Sequence, residues 1–191
     1  MAPWTPAAYG AELQTLLQRA PLNEIGPGTP NANMRASLKA FTFAQLVEPH
    51  TVANKSMATA CCAGLWLRFD FLDQAHAITQ SIDTREGSYW HAIMHRREPD
   101  FANAKYWFRR VGDHFVYKPL QVRAREVAGA EKLGADAKFL IEQDEWDPLA
   151  FVDLCEIGLD GAPPIHNLCK RVQLCEWELL FDYCYRMAAG I

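Results

Sequence analysis

The chain has 191 residues, half of them hydrophobic and 22% charged, which is enough apolar material for one substantial core and excludes a disordered or coiled-coil chain. Its formal net charge of −4 argues against general binding to nucleic acid or to an anionic membrane surface. No apolar run is long enough to cross a membrane and the first residues lack a secretory pattern, so we expect a cytoplasmic protein.

The six cysteines include an adjacent pair and follow no CxxC spacing, so they indicate neither a disulfide framework nor a zinc knuckle. We predict mostly buried thiols, and a redox protein that uses them is the third-ranked function. The six are Cys61, Cys62, Cys155, Cys169, Cys175 and Cys184.

We predict a single helical domain over residues 1–191. Residues 1–32 are its N-terminal arm, which packs on the rest of the domain. The arm combines a short amphipathic stretch over residues 7–19 with a loop over residues 21–30 that proline and glycine keep irregular. Asn33 is predicted to cap a helix that runs through Val47 and stops at Pro49.

The stretch from Thr51 to about Gln80 is rich in alanine and leucine and has no proline, which predicts one long central helix. Asp83 or Thr84 can cap the next helix, whose apolar face ends at Arg97. The two helices should form an antiparallel hairpin.

Further helices are predicted over residues 100–111, 119–133, 147–157 and 165–187. Pro99 and Pro148 lie at helix starts, and Gly112 closes the first of these helices. Residues 115–117 could form a short extended piece. The predicted fold is therefore all-α, an irregular multi-helix bundle with a long central helix.

Four of the six histidines lie between residues 76 and 114. His91 and His95 are four residues apart, so on a helix both imidazoles project from one face and can reach one metal ion. Antiparallel packing of the hairpin places His76 level with His91, and Asp73 near the level of His95. These four ligands would suit a divalent metal, Zn²⁺, Mn²⁺ or Fe²⁺. Ala92 follows His91, so the HExxH zinc-protease motif is absent.

A purely structural interpretation of the same residues stays open. The histidines could stack against Trp90, Tyr106 or Trp107, and Asp73 could pair with Arg96 or Arg97 in a partly buried polar network.

A second pattern is positive charge beside aromatic side chains. Asn103, Lys105 and Tyr106 begin a helix whose first turn is a natural anion site, and Arg97 and Arg109 could bind a carboxylate or phosphate. His95 and the nearby Glu98 are the candidates for proton transfer. The alternative is that Arg109 and Arg110 pair with Glu98, Asp100 or Asp113.

The motif SYWHAIMHRREPDFANAKYWFRRVG over residues 88–112, with AGLWL over 63–67 and FDFLDQAH over 69–76, resembles a family of uncharacterised, predicted soluble bacterial proteins. The resemblance covers roughly the middle third of the chain. It implies a shared ligand pocket but names no activity, cofactor or partner.

Two functions follow from these patterns. The first is a small-molecule enzyme or binding protein with a polar pocket for a polar or anionic ligand, in which a metal-bound water would support hydrolysis. The second is an interaction or structural protein that uses the surface from Trp90 to Arg110 for a partner or for a homo-oligomer.

Overall fold

The computed structural model describes residues 5–131, 134–161 and 163–191, and these residues contain helices and no strand. The all-α multi-helix bundle is therefore confirmed. The α-helices of these ranges are α1 (Ala11–Leu17), α2 (Arg35–Ala40), α3 (Phe43–Val47), α4 (Lys55–Arg68), α5 (Leu72–Thr79), α6 (Arg85–Arg97), α7 (Phe101–Val111), α8 (Tyr117–Gly129), α9 (Phe139–Glu142), α10 (Pro148–Asp160) and α11 (Pro163–Ala189).

The predicted single helix from Thr51 to Gln80 is wrong, because the chain breaks between α4 and α5. Asp70 has a left-handed backbone with φ of 64°. Its Oδ1 accepts hydrogen bonds from Asn23 Nδ2 at 2.7 Å and from Arg97 Nη2 at 2.5 Å. Contacts from distant parts of the chain thus hold the break. The long helix of the bundle is α11, with 27 residues.

Several boundaries follow the predictions closely. Thr84 caps α6, and Asp147 caps α10 with Pro148 at its first position.

The predicted helix from Asn33 to Val47 is instead divided, because Thr42 forms a capping box with Gln45 that starts α3.

The two ends of α8 differ from the predictions. The predicted extended piece over residues 115–117 is wrong, since Tyr117 already begins α8. The predicted end of that helix at residue 133 is also wrong, because α8 ends at Gly129 with Ala130 as its C-cap; residue 133 itself lies outside the described residues.

Two groups of helices enclose the core. One contains α11 with α4, α8 and α10, and the other contains α6 with α5 and α7. The two groups meet where α4 packs on α5 and α6 and where α10 packs on α7. Gly64 allows α4 to approach α6 closely, because a Cβ there would lie only 2.8 Å from the Trp90 ring. The Gly64 carbonyl also accepts a hydrogen bond from Trp177 Nε1 at 2.9 Å. Leu13 and Ile25 of the N-terminal arm are fully buried, so the arm contributes to the same core.

No helix in the described ranges combines the length and the apolar character that crossing a bilayer requires.

Gly87 sets the approach of the α5–α6 connection to α6. A Cβ at this position would lie 2.4 Å from the Ile82 carbonyl oxygen, so we expect Gly87→Ala to lower the free energy of unfolding by about 1–3 kcal/mol. Urea denaturation measures the effect. Gly129→Ala is the control, because its Cβ would meet nothing within 4 Å, and it should be neutral or stabilising. Equal stability of the two variants would contradict the close packing at Ile82.

Candidate functional site

Three histidines from the α5–α6 hairpin meet at one place. Thr84 Oγ1 accepts a hydrogen bond from the Gly87 amide at 3.1 Å and starts α6, so that α6 returns along α5. One nitrogen atom from each of His76, His91 and His95 lies within 4.8 Å of the other two. The His91 and His95 rings are stacked, and the His76 ring meets both nearly edge-on.

His91 is the most enclosed of the three. Its side chain is buried, and its ring stacks on Trp107 of α7 with a centroid separation of 4.1 Å. Within the described structure its Nδ1 is buried and makes no hydrogen bond. A buried nitrogen without a partner is energetically costly, so it marks a position where a ligand could be bound.

His95 is held by side chains that begin α7. Asn103 Nδ2 lies 3.1 Å from His95 Nε2, and carboxylate oxygens of Glu98 and Asp100 lie 3.5 and 3.8 Å from His95 Nδ1. With Asn103 donating to Nε2, the Nδ1 proton faces the two carboxylates. On α5, the Gln80 amide nitrogen lies 2.9 Å from His76 Nε2.

Burial favours the neutral, metal-binding form of the His91 and His95 imidazoles. Burial first, and then the charges of His95 and His76, lower the pKa of His91 to about 4. Burial and the charge of His76 also lower the pKa of His95, although Asp100 opposes this shift. Both rings are therefore neutral at neutral pH, so each has one unprotonated nitrogen that can act as a metal ligand.

The pKa of the Glu98 carboxyl group is shifted in the opposite direction, upward. Burial, together with the charges of Asp73 and Asp100, raises its pKa, while His76 lowers it. A carboxyl group with a raised pKa beside an imidazole is suited to exchanging a proton with it.

The nitrogen atoms are more widely spaced than a closed metal site requires. A tetrahedral ion with Zn–N bonds of 2.0–2.1 Å places its ligand nitrogens about 3.3 Å apart. The nitrogens of the three histidines are separated by up to 4.8 Å. His91 is fixed by Trp107, so His76 and His95 would supply the movement. They would also release the amides of Gln80 and Asn103, which approach their ring nitrogens.

The fourth predicted ligand does not join this group. Asp73 is exposed, and it is absent from the set of ligand atoms that lie within 4.8 Å of one another. Its first-turn position on α5 instead places its charge where it acts on Glu98.

The predicted anion-binding residues are dispersed. Arg97 is buried, and its guanidinium donates to Asp70 and to the backbone carbonyls of Gly26 and Leu67, so it holds the α4–α5 break rather than a ligand. Lys105 pairs with Asp153, whereas Arg109 is exposed and lines a different cleft.

The expected anion site at the start of α7 is already filled from within the chain. Asp100 Oδ1 accepts a hydrogen bond from the Asn103 amide at 3.2 Å and caps the helix. Tyr106 lies further along α7 and is half exposed. Of the residues predicted to bind an anion, only Asn103 lies beside the histidines.

The predicted interaction surface from Trp90 to Arg110 is not continuous. Trp90 and Arg96 are fully buried, whereas Tyr106 and Arg110 are exposed. The Arg110 guanidinium lies over the Trp107 ring at 5.3 Å.

The cysteine thiols are buried as predicted, except that Cys62 is only partly buried. Burial raises the pKa of the Cys62 thiol to about 11.

Sequence reasoning missed Gln80 as a neighbour of the histidines. Its position four residues after His76 was a usable signal, because this spacing places two side chains on one helix face.

The sequence matches no protein-family model and no curated protein, and no solved structure matches it.

Proposed function

We propose that the protein binds one divalent transition-metal ion through His76, His91 and His95 and uses it on a small polar molecule. The observation that carries this proposal is that two helices bring one nitrogen from each of three imidazoles within 4.8 Å of the other two. In addition, Nδ1 of the most enclosed ring, His91, makes no hydrogen bond within the described structure. Three histidines with open positions for water and substrate are the ligand set of many catalytic zinc sites.

The surrounding charges favour a neutral or cationic substrate. Glu98 and Asp100 lie beside His95, and Asp73 acts on Glu98. The nearby cations Arg97 and Lys105 are paired with Asp70 and Asp153. An anionic substrate would therefore meet these carboxylates, although the bound metal ion and Arg110, which lies over the Trp107 ring, would offset part of their charge.

Hydrolysis is the reaction that suits this arrangement. A bound Zn²⁺ would supply a water molecule that is acidic near neutral pH. Glu98, which is half-buried and lies 3.5 Å from His95 Nδ1, would exchange the proton.

Elemental analysis of protein purified without a tag or chelator tests the metal. We expect about one equivalent of zinc, manganese or iron, and its loss in the His91→Ala, His95→Ala double variant. Loading the metal-free protein with Co²⁺ should give the strong visible absorption of a tetrahedral centre.

His50→Ala is the matched control, since His50 is exposed and lies outside the cluster. It should keep the full metal content. Metal-free wild-type protein that also binds no added Zn²⁺ would refute the proposal, as would equal metal content in the wild type and the double variant.

A further inference from the structure

A second cleft lies on the other side of α7 and does not involve the three histidines. It has a volume of about 600 Å³ and lies between the end of α7, the start of α8 and the segment that leads into α10. This volume is within the range of about 300–1,000 Å³ that is typical of small-molecule sites.

Three aromatic side chains, one from each segment, form part of the wall: Phe108, Tyr117 and Trp146. Flat apolar surfaces of this kind accept the body of a planar molecule. Phe108 and Trp146 are also buried, so the core fixes part of the wall before any ligand arrives.

Two of these aromatic side chains carry a polar group that has no hydrogen-bond partner in the described residues. Within the described residues the Trp146 indole N–H and the Tyr117 hydroxyl are buried and make no hydrogen bond, and the Trp146 side chain is more than nine-tenths buried. An indole N–H can only donate a hydrogen bond, so a ligand that bonds to Trp146 must present an acceptor atom.

The rim adds charged groups. Arg109 and Lys118 are exposed there and form no ion pair or hydrogen bond with the described part of the chain. Asp113 and Glu145 also lie on the rim, whereas Asp147 is engaged in capping α10. The rim charges nearly balance, so the unpartnered donors and the guanidinium set the ligand preference. A guanidinium can bind both oxygens of a carboxylate.

We propose that this cleft is a second binding site, for a small aromatic molecule that carries a carboxylate. The ring lies against Phe108, Tyr117 and Trp146, and the carboxylate accepts from Trp146 Nε1 and binds Arg109. This site is separate from the histidine cluster, so either proposal can fail without the other.

Titration of ¹⁵N-labelled full-length protein with sodium benzoate tests the site. The Trp146 indole N–H signal, assigned from the Trp146→Phe variant, should shift to lower field and saturate. Benzylamine is the charge-reversed probe and should produce no saturable shift. Arg109→Gln should weaken benzoate binding about tenfold or more.

Arg110→Gln is the matched control, because Arg110 is exposed on the same helix but does not line the cleft. It should bind benzoate as the wild type does. An indole signal that does not respond to benzoate would overturn the proposal, and so would equal binding of benzylamine or an Arg109→Gln variant with wild-type affinity. Arg109 is exposed, so the variant should fold even if Trp146→Phe does not.

Discussion

Replacing Arg96 alone by methionine should lower the free energy of unfolding by about 3–5 kcal/mol, because Glu176 would then be a buried carboxylate without a counter-charge. Both side chains are fully buried, and Arg96 Nη2 lies 2.5 Å from Glu176 Oε2. Burial is the largest single influence and lowers the pKa of Arg96, but the charge and hydrogen bond of Glu176, together with Cys155 and Tyr89, raise it above its usual value. The guanidinium also lies 4.7 Å from the centre of the Phe151 ring.

The pair should nevertheless contribute little net stability. Within the described structure Arg96 Nε and Nη1 and Glu176 Oε1 make no hydrogen bond, so the cost of removing both charges from water is incompletely offset. The double variant Arg96→Met, Glu176→Leu should therefore be close to the wild type or more stable.

Urea denaturation of the wild type, both single variants and the double variant gives the coupling energy. If the losses in the single variants simply added in the double variant, the account of a coupled buried pair would be wrong. Arg19→Met is the control for losing an exposed arginine, and it should change the free energy of unfolding by less than about 0.5 kcal/mol.

The parts of the fold that sequence predicted well depend on neighbouring residues. Thr84 and Asp147 are predicted caps because a short polar side chain precedes each helical pattern, and both cap a helix in the structure. His91 and His95 share a face because they are four residues apart. The approach of His76 follows from hairpin pairing, which a short connection nearly fixes.

The parts that sequence could not predict depend on distant residues. The break at Asp70 is held by Asn23 and Arg97, and neither a proline nor a glycine marks it. Arg97 looked like a ligand group because its acceptors, which include the Gly26 carbonyl, are far away in sequence. Glu176 likewise lies 80 residues from Arg96. Pairing of buried charges is a property of packing, which local periodicity does not contain.

Between about pH 6.5 and 4, the protein freed of metal by a chelator should lose stability as the pH falls, and His91 should account for about 3 kcal/mol of the loss. Its pKa is about 4 in the folded protein and 6.5 in the unfolded chain. The unfolded state therefore binds more protons in this interval, so acid favours unfolding. The contribution is fully present above pH 6.5 and absent below pH 4.

Nuclear magnetic resonance titration of the ring signals measures the His91 pKa directly, and urea denaturation at a series of pH values measures its effect. His91→Phe keeps an aromatic ring against Trp107 and removes the titrating group, so its stability should fall less steeply over the same interval. His50→Phe, at an exposed position, should keep the wild-type slope. A His91 pKa near 6.5 would contradict the enclosed site. It would also mean that protons compete with a metal ion at neutral pH, whereas a pKa near 4 leaves the imidazole ready to bind one.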